Sequence, residues 1–161
     1  MENKVIIKKS SDADSRTASK TVTKNQLIEN TNLHIEDVNN VGTMLVNMFL
    51  LQIIKHDHTK LDYIDEFYDN FVRSLNGENF KDLDWWQIHK TERHHLNDSV
   101  PEDVNLLDVL EMVVDCTVAG LARSGDVYPI TIPQEVIEKA IENTKNLIIN
   151  NVELVDDVNG N

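Results

Sequence analysis

The run VNLLDVLEMVVDCTVAGLARSG, residues 104–125, constrains this chain most. Leu106, Leu107, Leu110, Val113, Val114, Thr117 and Leu121 recur at three- and four-residue spacing, the period of an amphipathic helix. Gly125 supplies the stop. The spacing predicts a helix of about five turns on a broad apolar face. That helix also carries Glu111 and Asp115, an i,i+4 pair that shares a face. A carboxylate held against apolar surface needs a partner, because a bare buried charge is expensive.

Similar periodicity recurs along most of the chain. Ile35, Val38, Val41, Leu45, Met48 and Phe49 predict a helix over 32–55, in which Gly42 and Asn47 are the weak points. Leu61, Ile64, Phe67, Tyr68 and Phe71 predict a second over 59–75, stopped by Asn76-Gly77. A third opens with Asp84 as cap and runs through WWQIHKTERHH, and a last one opens at Pro133 and runs to about Asn150. With 161 residues, only five Gly and three Pro, the chain reads as a single all-α domain of five or six helices over 25–150. The polar stretch 1–24 reads as a flexible arm and the acidic stretch 151–161 as a frayed tail.

Charge and composition exclude several functions. A formal charge of −13 argues against non-specific nucleic-acid binding, since no basic stripe is present. The longest apolar run, MLVNMFLLQII, is broken by Asn47 and Gln52 and is too short for a membrane span. The first nineteen residues lack the apolar core of a secretory signal. Cys116 is the single cysteine, which excludes an internal disulfide and fits a reducing cytoplasm. An anionic ligand would need a local positive centre, and a divalent cation is a natural one in an acidic molecule.

Five of the six histidines fall between positions 56 and 95, in HDH (56–58) and HKTERHH (89–95). Mixed imidazole and carboxylate sets suit Mn, Fe, Co, Ni, Zn or Mg. His58 is expected to face outward. Glu111 either orients a histidine or pairs with Arg93 or Arg123. Arg16, Arg93 and Arg123 offer guanidinium forks to phosphate, and an exposed helix-end role competes for Arg123.

The succession HDHTKLD, WWQIHKTERHH, VNLLDVLEMVVDC and ENT resembles the HD-domain superfamily of metal-dependent phosphohydrolases. It looks closer to a little-characterised group, common in bacteriophage genomes, that reads HD-x-SK-L, then R-HH, then EM-xx-D. The resemblance covers about 33–146 and implies an HD-like helical bundle. It implies His34, His56, Asp57 and Asp115 as ligands of one divalent ion and His89, His94 and His95 as support for a second. Asp57 and Lys60 would act at the reacting phosphate, with Arg93 and Arg123 on the substrate. Cys116 stands where the close group usually has tryptophan. The implied activity is phosphohydrolysis of a nucleotide or related ester in the cytoplasm, a host's if the gene is a phage's. A non-catalytic phage-encoded factor binding a nucleotide or host protein, and a di-iron oxygenase, are the rivals. A homo-oligomer stays open.

Geometry sets two conditions on this. His34 and His56 are 22 residues apart, about 33 Å on a straight helix, so one ion holds both only if the chain folds back between Gly42 and Asn47. On an unbroken helix His89 lies about 140° from His94 and 120° from His95. His89 with one of the pair is then the expected ligand set.

Overall fold

The computed structural model describes residues 4–9, 18 and 21–156. The order is β1 (Val5–Lys8), α1 (Lys24–Ile54), α2 (His58–Asp62), α3 (Ile64–Leu75), a 3-10 turn (Phe80–Asp82), α4 (Asp84–His89), α5 (Leu106–Ser124), α6 (Gln134–Asn151) and β2 (Val152–Val155). The all-α class holds apart from one small parallel pair of strands. No helix among the described residues is long and apolar enough to cross a membrane. Arg16 and the SDADSRT segment lie outside the described residues.

The chain divides into two compact units, Met1–Leu50 with Asn146–Asn161, and Leu51–Lys145. In the first, β1 pairs with β2 in the register Val5↔Val152 to Lys8↔Val155. Residues 5–8 and 152–155, expected in a flexible arm and a frayed tail, are therefore paired strands. Each segment is too short to declare itself, and each forms only because β-branched residues find the other across the ladder. α1 starts earlier than expected because Thr23 and Gln26 form a capping box. The Gln26 N–H donates to Thr23 Oγ1 (3.3 Å) and the Thr23 N–H to Gln26 Oε1 (2.9 Å).

α1 then runs without a break through Gly42 and Asn47. The expected fold-back is not made. One glycine costs a helix only about 1 kcal/mol relative to alanine, too little to turn the chain against the hydrogen bonds on both sides.

The second unit has a core of Leu96, Val104, Met112, Val136 and Ala140, with Val109, Cys116, Ile130 and Ile132 against it. The predicted 59–75 helix is split at Tyr63 (φ −121°, ψ 45°) into α2 and α3, and Asn76-Gly77 ends α3 as expected. α4 stops at His89, so 90–95 turns rather than continuing the helix, and Asp84 lies in its first turn with Leu83 at the cap.

α5 has the expected limits, set by an Asn105/Asp108 capping box and by Gly125 in the left-handed region. Its faces are the reverse of the usual. Asp108, Glu111, Met112 and Gly120 are buried, while Leu110, Val113, Val114, Val118 and Leu121 are exposed. The inward carboxylates are tolerated because each has partners. The Arg93 guanidinium donates to both oxygens of Asp108 (2.7 and 2.8 Å).

Candidate metal centre

All of the site lies within the second unit, where α1 ends, α2 begins and α4 and α5 pass alongside. Asp57 is the turn between α1 and α2 and the only described non-glycine residue with positive φ (56°). Such a backbone costs an ordinary residue about 1–2 kcal/mol, and Asp tolerates it better than most. Glu92 holds the turn. Its Oε2 accepts from the Asp57 N–H and its Oε1 from the Thr59 N–H, both at 3.0 Å, and the Thr59 hydroxyl donates to it as well. Burial alone would raise the Glu92 carboxyl, but hydrogen bonds from His89 and Thr59 outweigh it and bring it down to about 2.

The turn carries the Asp57 carboxylate into a ring of imidazoles. His56 Nε2 is 3.7 Å from Oδ2, while His89 Nε2 and His94 Nε2 are 3.4 and 3.7 Å from Oδ1. His95 Nε2 is 3.0 Å from His89 Nε2, and Asp115 Oδ1 is 3.5 Å from His56 Nε2. Ligand atoms 2.0–2.2 Å from a common ion are separated by about 3.0–3.5 Å along an edge of the coordination polyhedron. The observed separations, 3.0–3.7 Å, fall at or just beyond that edge.

The opposite nitrogens are anchored. His56 Nδ1 donates to Glu111 Oε1 at 2.9 Å, and His94 Nδ1 faces the same oxygen at 3.3 Å. His89 Nδ1 donates to Thr59 Oγ1 at 2.7 Å, and the ring stacks on Trp85, itself stacked on Phe67. A carboxylate or hydroxyl on Nδ1 keeps the proton there and leaves the Nε2 lone pair toward the centre. Glu92 and Glu111 are close enough to imidazole nitrogens to count as ligands. Their contacts fall on the Nδ1 side, so they orient the rings.

One atom bears on whether this donor set fits an ion. His94 Nε2 is buried without a hydrogen-bond partner, an expensive state for a polar nitrogen. A cation among these donors would supply the missing partner, so the residues fit. At His95 the electrostatics agree, because burial, then the neighbouring His94 and His89, push it down to about 4. Burial would also lower His94, but Glu111 outweighs it and raises that imidazole. Glu111 itself lies below the usual range because hydrogen bonds from His94, His56 and Gln52 exceed the effect of burial.

Of the residues singled out from sequence, His56, Asp57, His89, His94, His95 and Asp115 are brought together. Both members of the pair at 94–95 join His89 because the helix stops before them. His34 is not brought in. It stays on α1 in the first unit and belongs to no candidate metal group among the described residues.

Lys60 pairs with Asp57 Oδ2. Arg93 is engaged by Asp103 and Asp108, so the expected phosphate contact gives way to a structural one. Arg123 lines the adjoining cavity. His58 is half exposed, its Nδ1 2.9 Å from the Lys55 carbonyl oxygen.

Sequence reasoning missed Glu92, Gln52 and Thr59. Gln52 Nε2 donates to Glu111 Oε2 (2.6 Å) and to Asp108 Oδ1 (2.8 Å). The available signal was a polar Gln interrupting the apolar run four residues before His56, one helical turn along the same face.

Asp57, His89, His94, His95 and Asp115 line a cavity of about 840 Å³, walled also by Phe67, Phe80, Trp85, Trp86 and the segment Tyr128–Thr131. No family model matches the chain, and neither does any curated protein or solved structure.

Proposed function

We propose that the chain is a metal-dependent phosphohydrolase of the HD type, acting on a nucleotide or related phosphate ester. The observation that carries this is the convergence of the His56, His89 and His94 Nε2 atoms on Asp57, each of those rings anchored through Nδ1, with Asp115 beside His56 and His95 Nε2 beside His89 Nε2. His56, Asp57 and Asp115 keep the order of the HD pattern, from which the chain departs at His34.

His56, Asp57, Asp115, His89, His94 and His95 would hold one or two divalent ions. Such an ion supplies Lewis acidity toward a phosphoryl oxygen and makes water more acidic. Glu111, Glu92 and Thr59 keep the imidazoles in the tautomer and orientation that bind. Lys60, paired with Asp57 and lining the cavity, balances charge on a phosphoryl group entering there.

The test is elemental analysis of the purified full chain and of Asp57→Asn, beside phosphate release from a panel of nucleotides and simple esters with Mn, Co, Ni or Mg. The expected result is one or two bound equivalents and ion-dependent release, both reduced in the variant. Wild type that binds no ion ends the proposal. Loaded protein inert across the panel marks a binding protein on the same fold, and two irons with a visible absorption band mark an oxygenase.

A further inference from the structure

Building on that reading, we propose that the cavity takes a ligand with two anionic ends, one at the histidine–aspartate centre and the other at Arg123. Five formally charged side chains line the cavity: Asp57, Lys60, Asp98, Asp115 and Arg123. Lys60 pairs with Asp57, and Asp98 is taken by Lys81 at 2.6 Å. That leaves Asp115, beside His56 at the centre, and Arg123, which makes no hydrogen bond or ion pair among the described residues. The cavity therefore has a free guanidinium at a distance from the centre.

Both residues project from α5, eight positions apart, about 12 Å along the axis at 1.5 Å per residue. Between them α5 presents only Cys116, Ala119 and Gly120 to the cavity, so no long side chain obstructs the path. The facing wall is held close by Gly120 itself, where a Cβ would stand 2.7 Å from the Asp126 carbonyl oxygen. That contact seats 126–127 on the helix, and Tyr128–Thr131 line the space beyond.

A guanidinium fork matches phosphate or carboxylate oxygens in two parallel hydrogen bonds. The ligand class is thus a phosphate ester whose non-reacting end carries its own phosphate or carboxylate, spaced by roughly the 12 Å of helix between the two sites. Arg123 also sits in the last turn of α5, where a cation favours the helix dipole. That role affects stability but cannot discriminate between ligands.

The experiment uses the Mn-loaded full chain and two probes that resist hydrolysis, hexylphosphonate and hexane-1,6-diylbisphosphonate, titrated by calorimetry. Wild type should prefer the bisphosphonate by about tenfold or more, the factor expected of one charge-assisted contact. Arg123→Ala should reduce that preference to about the twofold statistical factor, and Arg123→Lys should keep part of it. Mn affinity, read by tryptophan quenching, should be unchanged in both. An equal preference in wild type and Arg123→Ala, or no preference in wild type, overturns the two-ended ligand and leaves the metal reading standing. Failure of wild type to bind Mn removes the metal reading, and the two-ended ligand falls with it.

Discussion

Glu111→Gln separates a carboxylate that orients ligands from one that merely fills the core. Glu111 is buried and takes Gln52 Nε2 at 2.6 Å, His56 Nδ1 at 2.9 Å and His94 Nδ1 at 3.3 Å. Glutamine keeps the shape but has one acceptor oxygen and one NH₂. If the NH₂ faces the imidazoles, it donates to Nδ1, moves the ring proton to Nε2 and puts a hydrogen where a lone pair is needed. If it faces Gln52, two NH₂ groups meet at 2.6 Å and one must give way.

Loss of such an outer partner costs about 10- to 100-fold in metal affinity. Because two imidazoles depend on this one carboxylate, the upper end is expected, close to 3 kcal/mol at 1.4 kcal/mol per tenfold. The assay is a Mn or Co titration of metal-free protein followed by tryptophan emission. Both tryptophans lie in α4, with Trp85 4.5 Å and Trp86 5.8 Å from the His89 ring. Thermal melting of the same samples checks the fold. An affinity within threefold of wild type, in a variant that melts normally, would refute the orienting role.

Gly120→Ala should destabilise the chain by about 1–3 kcal/mol in urea unfolding, because the new methyl meets backbone rather than a yielding side chain; an unchanged midpoint contradicts the close approach. Glu92 is a depressed carboxyl, with a folded pKa of about 2 against an ordinary 4.5. Its contribution is therefore complete above pH 4.5 and lost as pH falls toward 2. In metal-free protein the stability difference between wild type and Glu92→Gln should shrink by about 3 kcal/mol across that window, and a difference that does not vary with pH counts against it.

The helical class and the limits of α5 were legible because they rest on local chemistry: the 3.6-residue period, the Asn105 cap and Gly125. The grouping of His56, Asp57, His89, His94, His95 and Asp115 was legible through the resemblance, which implied them together and His34 with them. What could not be read was whatever depends on a partner far away in sequence. β1 and β2 need each other across nearly the whole chain. The direction of α5 depends on Arg93, Gln52 and the imidazoles being present to satisfy its carboxylates. Glu92 acts on a left-handed turn 35 residues upstream that no local pattern announces. The start of α1 was available in Thr23 and Gln26, and the fold-back expected at Gly42 rested on resemblance where the local energetics favoured a continuous helix.

Asp57 answers two demands that point to different amino acids. Its backbone, at φ 56°, would rest most easily as glycine, while its position among the imidazoles calls for a carboxylate. Asp57→Gly would therefore ease the backbone of this turn and, in the same step, take away the carboxylate that faces Lys60 and the imidazoles. Backbone ease is a misleading guide to improvement at this turn, because the residue that suits the φ angle best is the one that leaves the ring of imidazoles without its carboxylate.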